Sequence, residues 1–137
     1  MMRMWAGALL LSFPFFASSE TLLVAPASHL CAGQKVDKRD FSTLMSTTQK
    51  CKLPIINAER MLTFNEATPR NAIVKTLNGN GCWGISTTKR AVFIYEDGRT
   101  YSEAFDAYAK VSFDEAGSGV VIDSPVQNMG RLKCPQP

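Results

Sequence analysis

The sequence predicts an α+β fold in which β dominates: an antiparallel meander of five or six strands with one N-terminal helix and two disulfides. Three observations predict it. Apolar and polar residues alternate through much of the second half of the chain, and clusters of Gly, Asn and Asp separate the alternating stretches. Four cysteines, Cys31, Cys51, Cys82 and Cys134, follow an N-terminal export signal. A single helical period stands before the alternation begins.

That export signal is the first element. Arg3 precedes an apolar run from Trp5 to Phe16, and the small residues Ala17, Ser18 and Ser19 follow it ahead of Glu20. A short cationic start, about a dozen apolar residues and small side chains at the end are the parts of a secretory signal peptide. The run is shorter than the ~20 residues that cross a bilayer, and Pro14 interrupts it. Cleavage is expected after Ser19, giving an exported chain, periplasmic or extracellular, with no transmembrane segment after signal removal. Leu30, before Cys31, is too bulky for a lipoprotein site. The expected division is 1–19 signal peptide, 20–36 irregular leader with little periodicity, and 37–137 a single small α+β domain.

An even number of cysteines behind a signal peptide predicts two disulfides. Three pairings are open. The expected one joins Cys31 to Cys51, stapling the N-terminal segment locally, and Cys82 to Cys134, tying the tail to the sheet. No C-x-x-C is present and His29 is the only histidine, so neither a metal site nor thiol redox chemistry is expected.

The helix is read from Phe41, Leu44, Met45 and Thr48 at i, i+3, i+4 and i+7, with Cys51 continuing the face. Asp37 caps its start with Asp40 as the capping-box partner, and Pro54 enforces its end, which places the helix over Lys38 to Lys50. The period then changes to two. Short strands are expected at Met61 to Phe64 and Ala72 to Leu77. Asn78, Gly79, Asn80 and Gly81 form a turn cluster, and Cys82 to Thr87 returns. Ala91 to Glu96 carries Val92 and Ile94 on one face and Phe93 and Tyr95 on the other. Asp97-Gly98 predicts a type I′ hairpin, with Arg99 to Phe105 pairing back and Tyr95 and Tyr101 as a cross-strand pair at its base. From Tyr101 to Phe113 the odd positions are apolar except Glu103, so alternation outweighs the helix formers at Ser102 to Lys110. Gly117, Ser118 and Gly119 turn the chain into Val120 to Ile122, Ser124-Pro125 ends that strand, and an irregular tail runs to Pro137. The run Gly81-Cys82-Trp83-Gly84 followed by a strand and an Asp-Gly hairpin resembles small exported bacterial proteins, a resemblance that implies no particular function.

The formal net charge is +3 and drops by one with loss of Arg3; the basic residues are scattered, which gives no electrostatic case for nucleic acid. No catalytic constellation can be assembled: His29 lies in the unpatterned leader, and Ser118 lacks the spacing of a nucleophile elbow. Seven of the nine aromatic residues beyond the signal lie between Trp83 and Phe113. Trp83, Tyr95, Arg99 and Tyr101 are therefore the expected binding residues, since Tyr, Trp and Arg bury large area while keeping a polar handle. The expectation is a small exported, disulfide-stabilised protein-binding module. It would act as an envelope accessory subunit or inhibitor, with another envelope or extracellular protein as partner and neither cofactor nor catalytic activity. The alternatives are a small hydrolase using Asp97, Asp106 and Asp114, and a small-ligand carrier.

Overall fold

A computed structural model describes residues 18–70, 72 and 79–135; the expected signal peptide up to residue 17 and most of the expected strand at 72–77 lie outside them. The described chain is mostly antiparallel sheet. Nine strands follow in sequence: β1 (Glu20–Ala25), β2 (Lys35–Asp37), β3 (Thr43–Lys50), β4 (Leu62–Glu66), β5 (Gly79–Ile85), β6 (Arg90–Tyr95), β7 (Thr100–Ala104), β8 (Ala109–Phe113) and β9 (Ser118–Asp123). They form one sheet of order β2-β9-β8-β1-β3-β4-β5-β6-β7. A single short helix, α1 (Pro125–Asn128), follows β9. The strand count thus exceeds the expected five or six, and the helix is C-terminal instead of N-terminal.

The expected irregular leader contains the strand on which the sheet is assembled. β1 pairs with β3 on one side and β8 on the other, and both of its faces are covered. Leu22 and Val24 enter one core with Leu30, Phe41, Val111, Phe113 and Val121. Leu23 enters the other with Met45, Phe64, Trp83, Phe93, Tyr95 and Tyr108. A strand buried on both faces reads as a continuous apolar run, here Leu22-Leu23-Val24, and shows no alternation. The same fact overturns the helix at Lys38 to Lys50. Asp37 does form the capping box with Asp40, but it caps only a 3-10 turn, Lys38–Asp40. Thr43–Lys50 is strand, with Leu44 against the first core and Met45 in the second. Adjacent apolar residues serving opposite faces imitated a helical i, i+3, i+4 pattern, while Thr43, Thr47 and Thr48 carry the β-branched preference.

The sheet is strongly curled. β7 and β8 stand six places apart in the strand order, about 29 Å across a flat sheet at ~4.8 Å per strand. Only Phe105–Tyr108 connects them, and that segment spans at most about 18 Å. Curling brings the two ends together and makes the second core the filling of a concave face. Phe105 stacks on Trp83 at 6.3 Å between ring centroids, and Tyr108 packs on Phe93 at 5.8 Å.

Glycines permit this packing. Gly81 lies directly opposite Phe64, and a Cβ there would stand 2.7 Å from the Phe64 ring and collide with the Ile94 carbonyl. Gly119 lies opposite Phe113, 2.6 Å from its ring by the same construction. The expected turn at Asn78–Gly81 is therefore mostly strand: Gly81 supplies space for an aromatic ring and has no positive φ. The hairpins at Ser86–Arg90, Tyr95–Arg99 and Asp114–Ser118 share one closure, in which the fourth residue has positive φ and donates its N–H to the first carbonyl. These residues are Lys89, Gly98 and Gly117. Asp97 has no positive φ, so the Asp97-Gly98 hairpin is a three-residue loop with a glycine bulge and not type I′. Its register sets Tyr95 opposite Arg99 and Tyr101 opposite Phe93, which replaces the expected Tyr95–Tyr101 pair.

The disulfides join Cys31 to Cys134 and Cys51 to Cys82, with Cα separations of 5.7 and 5.5 Å, and overturn the expected pairing. Cys51 ends β3 and is stacked over β5 by the loop that carries Leu53, Ile55 and Ala58. Cys31 sits on the segment that Ser124 fastens through a 2.6 Å hydrogen bond to the Leu30 carbonyl, so the tail and not β3 is its neighbour. Cys31 is not stapled locally because Glu20–Ala25 belong to the sheet and the segment after them runs beside the tail. No helix among the described residues is long and apolar enough to cross a membrane.

Peptide mapping of the oxidised protein without reduction should recover Cys31–Cys134 and Cys51–Cys82 peptides only. Chain-entropy arithmetic gives the longer loop the larger effect, about 4.7 against about 3.7 kcal/mol, so Cys31→Ser with Cys134→Ser should lower the urea midpoint more than Cys51→Ser with Cys82→Ser. Gly81→Ala should cost upwards of about 2 kcal/mol in the same denaturation, by overpacking between Phe64 and the Ile94 carbonyl; an unchanged midpoint would refute the close approach.

Candidate functional site

The concave face grades from apolar to polar along its strands. Alternation places Phe64 and Glu66 of β4 on the inner face, with Thr43 and Ala25 opposite Glu66 across β3 and β1. On β7 the same rule turns Tyr101 and Glu103 inward, opposite Phe93 and Ala91 of β6. The strand ends thus surround a cavity of about 390 Å³, lined among others by Glu66, Phe93, Tyr101, Glu103 and Tyr108 and closed on one side by Pro26–Ser28.

Phenol–carboxylate pairs order this mouth. Tyr95 Oη donates to Glu66 Oε1 at 2.5 Å, and Tyr108 Oη donates to Glu103 Oε2 at 2.9 Å. Burial first, and then the hydrogen bond to Glu66, hold the Tyr95 phenol protonated well above its ordinary range. Burial and Glu103 do the same for Tyr108, and burial with the charge of Glu103 raises Tyr101. These are the chain's three tyrosines; Tyr101 and Tyr108 line the mouth, and Tyr95 stands behind its Glu66. Among the described residues neither Glu66 nor Glu103 forms an ion pair with Lys or Arg.

Of the expected binding residues, three are brought together. Tyr95 is buried behind Glu66; Arg99 lies over its ring, 4.6 Å from guanidinium carbon to centroid, and is held by Asp97 at 2.6 Å. Tyr101 is 48% exposed and packs on Phe93 at 6.0 Å. Trp83 is elsewhere in role: it is buried, and its indole N–H donates to the Ser46 carbonyl at a bulge in β3. The Ser46 hydroxyl accepts from Thr48 and Gln49 N–H there, so the bulge frees a carbonyl that the indole satisfies. Glu66, Glu103 and Tyr108 were missed. Glu103 had a signal, being the one polar residue on the apolar side of the 101–113 alternation, and Glu66 lies two residues beyond the expected strand end.

The aspartates of the hydrolase alternative are not assembled into one site. Asp97 lines a depression with Tyr95 and Arg99, whereas Asp114 accepts from the N–H groups of Ala116 and Ser118 in the β8–β9 turn. Ser118, at the start of β9, and exposed His29 are likewise apart. Larger clefts of about 660 and 520 Å³ flank Asp37 and Arg70. Several of their charges are paired: Arg39 to Asp37 at 2.9 Å, Arg70 to Asp40 at 2.8 Å and Lys38 to Glu20 at 3.1 Å. Among the described residues no group of three His, Cys, Asp or Glu side chains is placed to hold a metal ion.

No protein family model matches the chain, and neither a curated protein nor a solved structure shows significant similarity to it.

With Tyr95 and Tyr108 held protonated, absorbance at 295 nm should show at most one phenol of the folded protein, that of Tyr101, ionising near the ordinary ~10. All three should ionise there once the chain is unfolded in urea. A group with a raised folded pKa stabilises fully below its unfolded value, so stability should hold to about pH 10 and fall above it. More than one tyrosine ionising normally in the folded state would contradict the phenol–carboxylate pairs of Tyr95 and Tyr108.

Proposed function

We propose that the protein is an exported binding protein that takes a small molecule in the mouth of its curled sheet. One observation carries this: the inward-facing residues at the strand ends leave a concave, half-polar cavity of about 390 Å³ where the remainder of the same face is tightly packed. That volume lies in the range of small-ligand sites, and a few polar groups on an aromatic lining are their usual composition. Two disulfides fit an exported chain, and the signal-like N-terminus supports the same route. The compartment, periplasmic or extracellular, belongs to the proposal.

Protein contact is a second reading, favoured by β7. It is an edge strand, exposed at Thr100, Tyr101, Ser102 and Ala104, and it presents Tyr101 beside Arg99. A stable protein interface buries about 800 Å² per partner, far more than this five-residue edge offers without the mouth.

A small-molecule library screened by thermal shift against the oxidised chain from Glu20 should give ligands that raise Tm by a few degrees. Tyr101→Ala should abolish those shifts while leaving the unliganded Tm within about 2 °C, as for an exposed edge-strand residue. A screen without hits, together with one envelope protein retained near stoichiometrically on the immobilised chain, would replace the mouth by the β7 surface.

A further inference from the structure

The mouth offers acceptors and aromatic faces and, among the described residues, no basic residue lines it. Both carboxylates that face it, Glu66 and Glu103, are unmatched by any Lys or Arg within ion-pair distance among the described residues, although Asp37, Asp40, Asp97 and Glu20 are all so matched. The phenol proton of Tyr108 is committed to Glu103, and that of Tyr95, behind the lining, to Glu66, which leaves the Tyr108 oxygen as an acceptor in the cavity. Ser42 Oγ is likewise committed, donating to the Ala25 carbonyl at 3.3 Å. Phe93, Tyr101 and Tyr108 supply ring surface to the same cavity. Arg99 and Arg90 stand outside its lining, Arg99 on Asp97 and Arg90 on the Ser102 carbonyl at 3.2 Å.

An anion entering this cavity would meet two carboxylates and no lining cation. An organic cation would find charge, acceptors and π faces together, the combination that recognises ammonium groups. We propose that the ligand of the mouth is a small organic cation, with an ammonium or quaternary ammonium group seated between Glu66 and Glu103 against the rings of Tyr101 and Phe93. This rests on the mouth being a binding site, and adds the ligand's chemical class.

Calorimetric titration of the oxidised protein with choline, with its neutral isostere 3,3-dimethyl-1-butanol and with butyrate tests it. Choline should bind saturably at one site, the neutral isostere at least tenfold more weakly, and butyrate not at all. Glu66→Gln with Glu103→Gln keeps the shape of both groups and one carbonyl oxygen each to accept the phenol hydrogen bond, and should reduce choline affinity at least tenfold with a smaller change for the isostere. Tyr101→Leu, at an exposed edge position, keeps the measurement decisive if the double variant fails to fold. It should weaken choline by about threefold to thirtyfold, the range of a cation–π contact, and weaken the isostere by less. Equal binding of choline and isostere would overturn the cation and leave the mouth as a binding site. No binding of any probe would also overturn the cation, and the library screen decides separately whether the mouth binds anything.

Discussion

The structure depends on one constraint: β1 is covered on both faces and paired on both edges. Leu22 and Val24 project into the core shared with β8 and β9, while Leu23 projects into the core shared with β3 to β6. A strand of six residues therefore belongs to two hydrophobic clusters and two ladders at once. Full burial of a leucine or valine side chain contributes on the order of 2 kcal/mol, so three such residues on adjacent positions tie the two halves of the sheet more firmly than a hairpin would. The β2–β8 end and the β3–β7 end are otherwise joined by the segment 38–42, from β2 to β3, and by the link Phe105–Tyr108. That link also enforces the curl, because four residues cannot cross a flat sheet.

Curling a sheet crowds its concave face, and glycine relieves the crowding. Phe64 over Gly81 and Phe113 over Gly119 are the same device in the two cores: a large ring on one strand occupies the volume that its neighbour's side chain has vacated. Tyr95 follows it less tightly over Gly79, where a Cβ would stand 3.2 Å from the ring. This explains how Tyr95 reaches past β5 to Glu66 of β4, two strands away in the order. The site is thus a product of the packing that closes the core, because the ring that fills the space above Gly79 is the one whose hydroxyl orders the first carboxylate.

The strands with one solvated face were legible in the sequence; the doubly covered ones were not. β6 buries Ala91, Phe93 and Tyr95 and leaves Val92 and Ile94 half-exposed, so its alternation was plain. β1 and β3 serve two cores with adjacent residues, and that erased the period of two and lent β3 a helical one. The disulfide pairing was hidden for the same reason, since a chain segment taken as a leader gave no hint that Cys31 lies beside the tail. Of the site, Tyr95, Arg99 and Tyr101 were legible as aromatic and basic residues around one hairpin. Trp83 shares their composition but serves the β3 bulge. Glu66 was hidden by a strand drawn two residues short.

Carboxylates on the inner face of a sheet are a poor choice for stability alone. Glu66 and Glu103 are partly buried, each accepting one phenol hydrogen bond, without the opposite charge that offsets desolvation of an ionised group. Apolar residues continuing the Phe64 and Tyr101 faces would close the cavity and extend the core. The three tyrosines hold their protons through burial first and through that negative charge second. Positions at which local stability is given up without a packing gain are where a binding role is sought first. In this chain they coincide at one end of one concave face, and the remaining acid–base pairs of the described surface satisfy one another.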